Sequence, residues 1–248
     1  MYRLLMVIFA LTLVSCKSSP DYLISQQLTS QYKNVGFVTF RMESQLAFFQ
    51  ADMETFYRPR ITEALQDLGF QVVDASRLYE VMEALEKDAP GLFNPNTGQK
   101  NSELENELFI KAMQQVKQEL NLDAFLFAGV DAVRANFSNN LLLGHYARWY
   151  GQSEVYLADG VDAGAVLSTL FTQEEGYLPG ARLYLRFRDG QNNILSVGSG
   201  GIELLARYDD DGEIEPKTSD YLFDDKAQLA EALDFALEDL ASHKSRKK

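Results

Sequence analysis

Residues able to do chemistry are few in this 248-residue chain. His145 and His243 are its only histidines, and His243 lies in the basic tail HKSRKK. A Ser–His–Asp triad would have to use His145, yet Gly198-Ser199-Gly200 lacks the spacers of a Gly-x-Ser-x-Gly nucleophile turn. A solvated loop histidine is the simpler expectation. The run Asp209-Asp210-Asp211-Gly212-Glu213-Ile214-Glu215 offers oxygen ligands for calcium. Placing Gly212 at the sharp-turn glycine of an EF-hand puts Arg207 and Thr218 where the first and last carboxylates belong. That leaves a looser set, Asp209, Asp211 and Glu213, or an ordinary solvated turn. Acidic residues are plentiful, but no loop sets two of them among aromatic sugar platforms as glycoside hydrolysis needs. Gly198-x-Gly200-Gly201 precedes a strand and not a helix start, so it is no phosphate loop. No catalytic residue, metal or cofactor is expected, and the chain reads as a non-enzyme.

Two groups point to binding. Arg182, Arg186 and Arg188 share one face of an alternating strand and could dock an acidic partner, or simply pair with neighbours such as Glu203. Phe137, Tyr146, Arg148, Trp149, Tyr150 and Tyr156 crowd an aperiodic stretch. Tyr, Trp and Arg dominate interface energetics, although packing of that stretch onto its own domain would use the same residues.

At the amino terminus, Arg3 precedes an apolar run from Leu4 through Val14, then Leu13-Val14-Ser15-Cys16. The run suits a signal peptide and is shorter than the ~20 residues of a membrane-spanning helix. Leu-Val-Ser-Cys resembles the lipobox of bacterial lipoproteins, which implies cleavage after Ser15 and acylation of Cys16. Cys16 is the only cysteine, so acylation would leave no thiol for a disulfide, a zinc–thiolate site or a nucleophile. The resemblance extends to sorting: Lys17, where Asp would favour inner-membrane retention, implies an outer-membrane lipoprotein, most simply on the periplasmic face. Several acyl chains would make the anchor permanent. A net charge of −13 excludes broad affinity for nucleic acid.

The elements that must position these groups follow from periodicity. Residues 1–15 read as signal peptide, 16–33 as a tether with a reach of about 25 Å, and 34–242 as one domain before the basic tail 243–248. Val35–Phe40 is a buried strand. Ser44–Leu68 is helical with a break expected at Pro59, ended by Gly69. Phe70–Val73 is a strand, and Asp74 or Ser76 caps a helix carrying Leu78, Val81, Met82 and Leu85. Ser102 and Glu105 form a capping box for the next helix, and Asp123–Val133 is a third strand. Residues 134–180 lack a period and read as an insertion. Ala181–Arg188 alternates, Asp189-Gly190 signals a hairpin, and Gly200-Gly201 marks a bulge or a close backbone approach. Asp224 or Asp225 caps a last helix through Leu240. The fold class is α/β (α+β): β-α-β-α-α-β, then a meander and a C-terminal helix, with helices packed on a mixed sheet.

This order resembles the α/β domain of the curli-secretion lipoprotein family (CsgG), of the penicillin-binding-protein activator LpoB and of the amino-terminal domain of TolB. VGFVTF, RPRITEALQDLGFQVVDASRLYEVMEAL, LNLDAFLFAGVDAV and ARLYLRFRDGQNNILSVGSGG carry it. The resemblance implies work in envelope assembly, surface-structure secretion or wall synthesis through protein binding. A secretion pore subunit is the alternative, and a periplasmic hydrolase a remoter one. Curli-type pores need two long membrane hairpins, of which 134–180 could hold one. LpoB-type activators use a tether longer than this one.

Overall fold

A computed structural model describes residues 25–138, 145–158, 175–209 and 211–242. Cys16, the signal peptide, His243 and the basic tail lie outside them, as do 139–144 and 159–174 of the expected insertion.

The chain is α/β, with α1 (Ser25–Gln31), β1 (Asn34–Met42), a 3₁₀ turn (Ser44–Phe49), α2 (Gln50–Asp67), β2 (Gln71–Asp74), α3 (Leu78–Lys87) and α4 (Ser102–Glu119). There follow β3 (Ala124–Ser138), β4 (Tyr146–Trp149), β5 (Gln152–Val155), β6 (Glu175–Arg188) and β7 (Ile194–Leu204). The small ribbon β8 (Ala206–Tyr208) and β9 (Ile214–Pro216) precedes α5 (Lys226–Ser242). In the main sheet β1 runs parallel to β2 and β3, while β3–β6, β6–β7, β3–β4 and β4–β5 are antiparallel.

Alternation assigns the faces. Leu183, Leu185 and Phe187 of β6 join Phe37, Phe40 and Leu126 in a core closed by α2 and α5. On the other face α3 and α4 bury Leu78, Met113 and Val116 against Val38 and Phe125. A third core closes the far end of β3 and β6, where Ala135, Phe137 and Leu178 meet Trp149, Tyr156 and Tyr208.

Several expectations change. Residues 25–33 are not a free tether, because α1 buries Leu28 completely in the α2/α5 core. Helix α2 runs through Pro59 without a break. Buried Phe56 and Tyr57 before the proline and Ile61 and Leu65 after it hold the two halves on one core. Arg60 also donates to the Phe56 carbonyl at 2.8 Å. The cap of α4 is Asn101, which accepts from the Glu103 and Leu104 amides at 3.2 Å, and the Ser102 capping box does not form. Helix α3 has no side-chain cap; Asp74 instead turns back to the Ser76 amide.

Other punctuation holds. Gly69 (φ +94°) ends α2 with its amide on Gln66 and that of Phe70 on Leu65, the paired bonds of a Schellman cap. Asp225 caps α5 through the amides of Ala227 and Gln228. At Gly200 a Cβ would lie 1.8 Å from the Ala232 carbonyl of α5. The glycine pair therefore serves a close backbone approach, and the register between β6 and β7 also slips beside Gly201.

Residues 134–180 are more regular than expected. Strand β3 continues to Ser138, β6 begins at Glu175, and β4–β5 is a short hairpin. The alternation Arg134-Ala135-Asn136-Phe137 is real, but it lasts two periods and one inward position is only an alanine.

Candidate functional site

The aromatic and arginine residues fall into three places. Phe137, Trp149 and Tyr156 are buried in the third core, 4%, 5% and 0% exposed. This corrects the expectation of a contact surface for these three: their apolar area is already spent inside the domain. Phe137 packs on Tyr156 at 4.8 Å between ring centroids, and the Trp149 indole donates to the Ala181 carbonyl at 2.9 Å. Burial raises the hydroxyl pKa of Tyr156 and of Tyr208 beside it.

The outward side of the same strands carries a different set. Register pairs Tyr177 with Asn136, Asn136 with Arg148, Pro179 with Arg134, and Tyr146 with Val155. Directly opposed residues share a face, so these side chains form one exposed surface. Tyr146 and Tyr177 are 43% and 54% exposed, and the Arg134 guanidinium stacks on Tyr177 at 4.3 Å.

Tyr150 and the arginines of β6 mark the third place: Arg186 and Arg188 line a cleft of about 500 Å³ between the sheet and helices α3 and α4, whereas Arg182 and Tyr150 stand outside its lining. At its border Arg182 grips Asp131 with a bidentate fork, Nε to Oδ1 at 2.9 Å and a second nitrogen to Oδ2 at 2.5 Å. It also donates to the Tyr150 hydroxyl at 3.0 Å. Burial lowers the Arg182 pKa, but the bonds to Asp131 more than offset this and hold it above the ordinary value. The expected partner, Glu203, is buried elsewhere.

Deeper along β6, Arg186 and Arg188 share the cleft with Arg41 of β1. Among the described residues no carboxylate lies within ion-pair distance of any of the three. The Nε atoms of Arg186 and Arg188 are buried with no hydrogen-bond partner. Aromatic rings hold the guanidiniums instead: Arg41 lies 3.8 Å from the Tyr79 ring centroid, Arg186 5.2 Å from Tyr184 and Arg188 5.6 Å from Phe127. Arg188 also donates to the Asn192 side chain. Burial, then repulsion from Arg186, pushes the Arg188 pKa down. Burial raises those of Tyr79 and Tyr184. Gly129 permits a close approach beside the cleft, since a Cβ there would meet the Tyr184 hydroxyl at 2.7 Å and the Arg41 carbonyl at 1.9 Å.

A second hollow of about 500 Å³ lies beside β5, β7 and α5. Here Glu154 meets Arg207 at 2.5 Å and Lys217 at 3.2 Å, and Lys217 meets Glu203 at 2.8 Å. These four charges pair with one another, while Asp225 and Glu231 complete an acidic lining.

The chain matches no known family model and no curated protein sequence.

The candidate catalytic and metal-ligating side chains among the described residues have other partners. His145 meets the Tyr156 hydroxyl at 3.3 Å, whereas Ser199 lies on β7 with its amide on Asp239. The structure does not bring them together. Asp209 turns inward to accept the Asp211 and Glu213 amides, and the described residues contain no group of three potential metal ligands. No helix among them is long and apolar enough to cross a membrane. Arg41, Tyr79, Phe127 and Tyr184 escaped the sequence reading. Arg41 interrupting the apolar run of β1 was the one available signal.

Proposed function

We propose that this chain is a lipid-anchored, non-enzymatic envelope protein that acts by binding another protein, with Cys16 as its anchor at the outer membrane. The surface of Tyr146, Arg148, Arg134 and Tyr177 carries the reading. Its residue types are those enriched at interfaces, and its two arginines stand out from an acidic chain and suit an acidic partner surface. Envelope assembly, surface-structure secretion and wall-synthesis control are the processes proposed, on the likeness of VGFVTF and the later strand motifs to the CsgG, LpoB and TolB domains. Among the described residues, the core-facing sides of β3 and β6 are occupied by the domain's own cores as far as Phe137 and Leu178, which favours the binding reading over a pore for these strands.

The test is in-cell photocrosslinking from positions 146 and 177, where a probe replaces an exposed tyrosine and leaves the core intact. One protein should be captured from both positions and lost in Arg134→Glu/Arg148→Glu. Capture of the same protein from an exposed position at the other end of β3, such as Gln191 in the β6–β7 turn, or of none, would remove this surface from the account. Membrane fractionation of Cys16→Ala, expected to release the chain, tests the anchor separately.

A further inference from the structure

We propose that the cleft of Arg41, Arg186 and Arg188 is a binding site for a small organic phosphate, a phosphate monoester carrying an apolar body. This site is separate from the exposed Tyr–Arg surface and does not depend on it. Three observations converge. First, two buried guanidinium Nε atoms lack partners, and a buried donor without an acceptor is destabilising unless something outside the chain supplies one. Second, the guanidiniums are oriented by stacking on aromatic rings, which positions a cation without neutralising it. Arg182, only four residues earlier on the same face, shows that this strand can carry a neutralised arginine where the fold needs one. Third, the hollow is of ligand size.

Charge and lining specify the ligand. Arg186 and Arg188 stand two residues apart, about 6–7 Å along a strand, so an oxyanion between them can take a donor from each, with Arg41 as the third cation. A dianionic phosphate balances three guanidiniums better than a single carboxylate and presents more acceptors to their forks. Met82, Phe109 and Phe127 supply apolar wall beside the arginines, which suits an organic substituent and not a bare ion. Glu83, Glu86 and Glu105 form the opposite rim. Lys100 holds Glu86 at 2.9 Å and Glu105 at 2.8 Å, drawing two of these carboxylates away from the arginines. The acid group therefore goes to the sheet floor and the substituent lies toward the helices.

The experiment is calorimetric titration of the detergent-solubilised full-length chain with phenyl phosphate, inorganic phosphate and benzoate at low and high salt. Phenyl phosphate should bind saturably, more tightly than either other probe and more weakly in high salt. Arg186→Gln/Arg188→Gln should weaken it by roughly tenfold or more, the loss of charge-assisted hydrogen bonds. Arg41→Gln, at the cleft rim, should weaken it in the same direction and guards against a double variant that fails to fold. Absence of saturable binding overturns the site. Unchanged affinity in folded Arg41→Gln or in the folded double variant also overturns it. Equal binding of inorganic phosphate overturns the apolar body, and tighter binding of benzoate overturns the choice of phosphate.

Discussion

Two charged hollows of equal size, about 500 Å³ each, are built in opposite ways. Beside β5 and β7, Glu154 and Glu203 face Arg207 and Lys217, and each of these four has a partner of opposite sign at hydrogen-bond distance. Glu203 also accepts from the Phe223 amide, and Glu154 from the Leu204 amide. That network ties a hairpin, a strand and the loop before α5 into one body. In the cleft under α3 and α4, by contrast, Arg41, Arg186 and Arg188 are gathered without an ion pair among the described residues, and the glutamates that share the lining, Glu83, Glu86 and Glu105, stand on α3 and α4. The first arrangement holds the fold together. The second costs stability and leaves the positive charge available to an outside ligand.

Breaking the first network should have the largest effect. Glu203→Ala leaves the buried Phe223 amide without its acceptor and Lys217 with Glu154 alone, in a site where Glu203 is 4% exposed. Urea titration should report a loss of about 3 kcal/mol, the scale for removing one partner of a buried pair. A loss under about 1 kcal/mol would place this network with ordinary surface pairs.

Arg182→Gln comes next, because it separates the two regimes on a single strand. Its fork on Asp131 is mostly but not fully buried, the two side chains being 16% and 30% exposed. A loss of about 1–2 kcal/mol is expected once solvent screening is allowed for.

Alkaline pH acts on both regions. Burial raises the hydroxyl pKa of Tyr57 in the α2/α5 core and of Tyr79 and Tyr184 at the cleft above the ordinary 10.0. Protons stay on in the folded state while the unfolded chain loses them, so stability is full below pH 10 and falls as pH rises beyond it. Tyr57, buried and donating to the Leu229 carbonyl at 3.0 Å, should dominate. Tyr57→Phe should flatten that fall in a pH series of urea midpoints, whereas Tyr184→Phe should change it less. The smallest effect is expected at Lys100→Met on the cleft rim, a urea midpoint indistinguishable from that of the unaltered chain, since the Lys100 side chain is 32% exposed and its pairs are screened.

Much of this fold was legible in the residues. The α/β order, the glycine end of α2, the Asp225 cap and the alternating face of β6 each rest on local periodicity or local chemistry. What escaped was non-local. Pro59 breaks an isolated helix, but here packing on both sides carries α2 through it. Leu28 looked like tether because its partners are far along the chain. The aromatic residues of 137–156 divide between inside and outside by strand register, which separates buried Trp149 from exposed Arg148. The cleft was half visible: Arg186 and Arg188 stood out by their spacing. Arg41, Tyr79 and Phe127 are brought to them by three other elements, and no sequence spacing records that.

The contrast between the two hollows is tested most directly by the stability of Arg186→Gln/Arg188→Gln, measured by urea titration beside Arg182→Gln with no added anion. Unchanged or higher stability in the double variant, together with a loss in Arg182→Gln, is the expected result. A double variant destabilised as much as Arg182→Gln would show that the cleft arginines serve the fold and not a ligand.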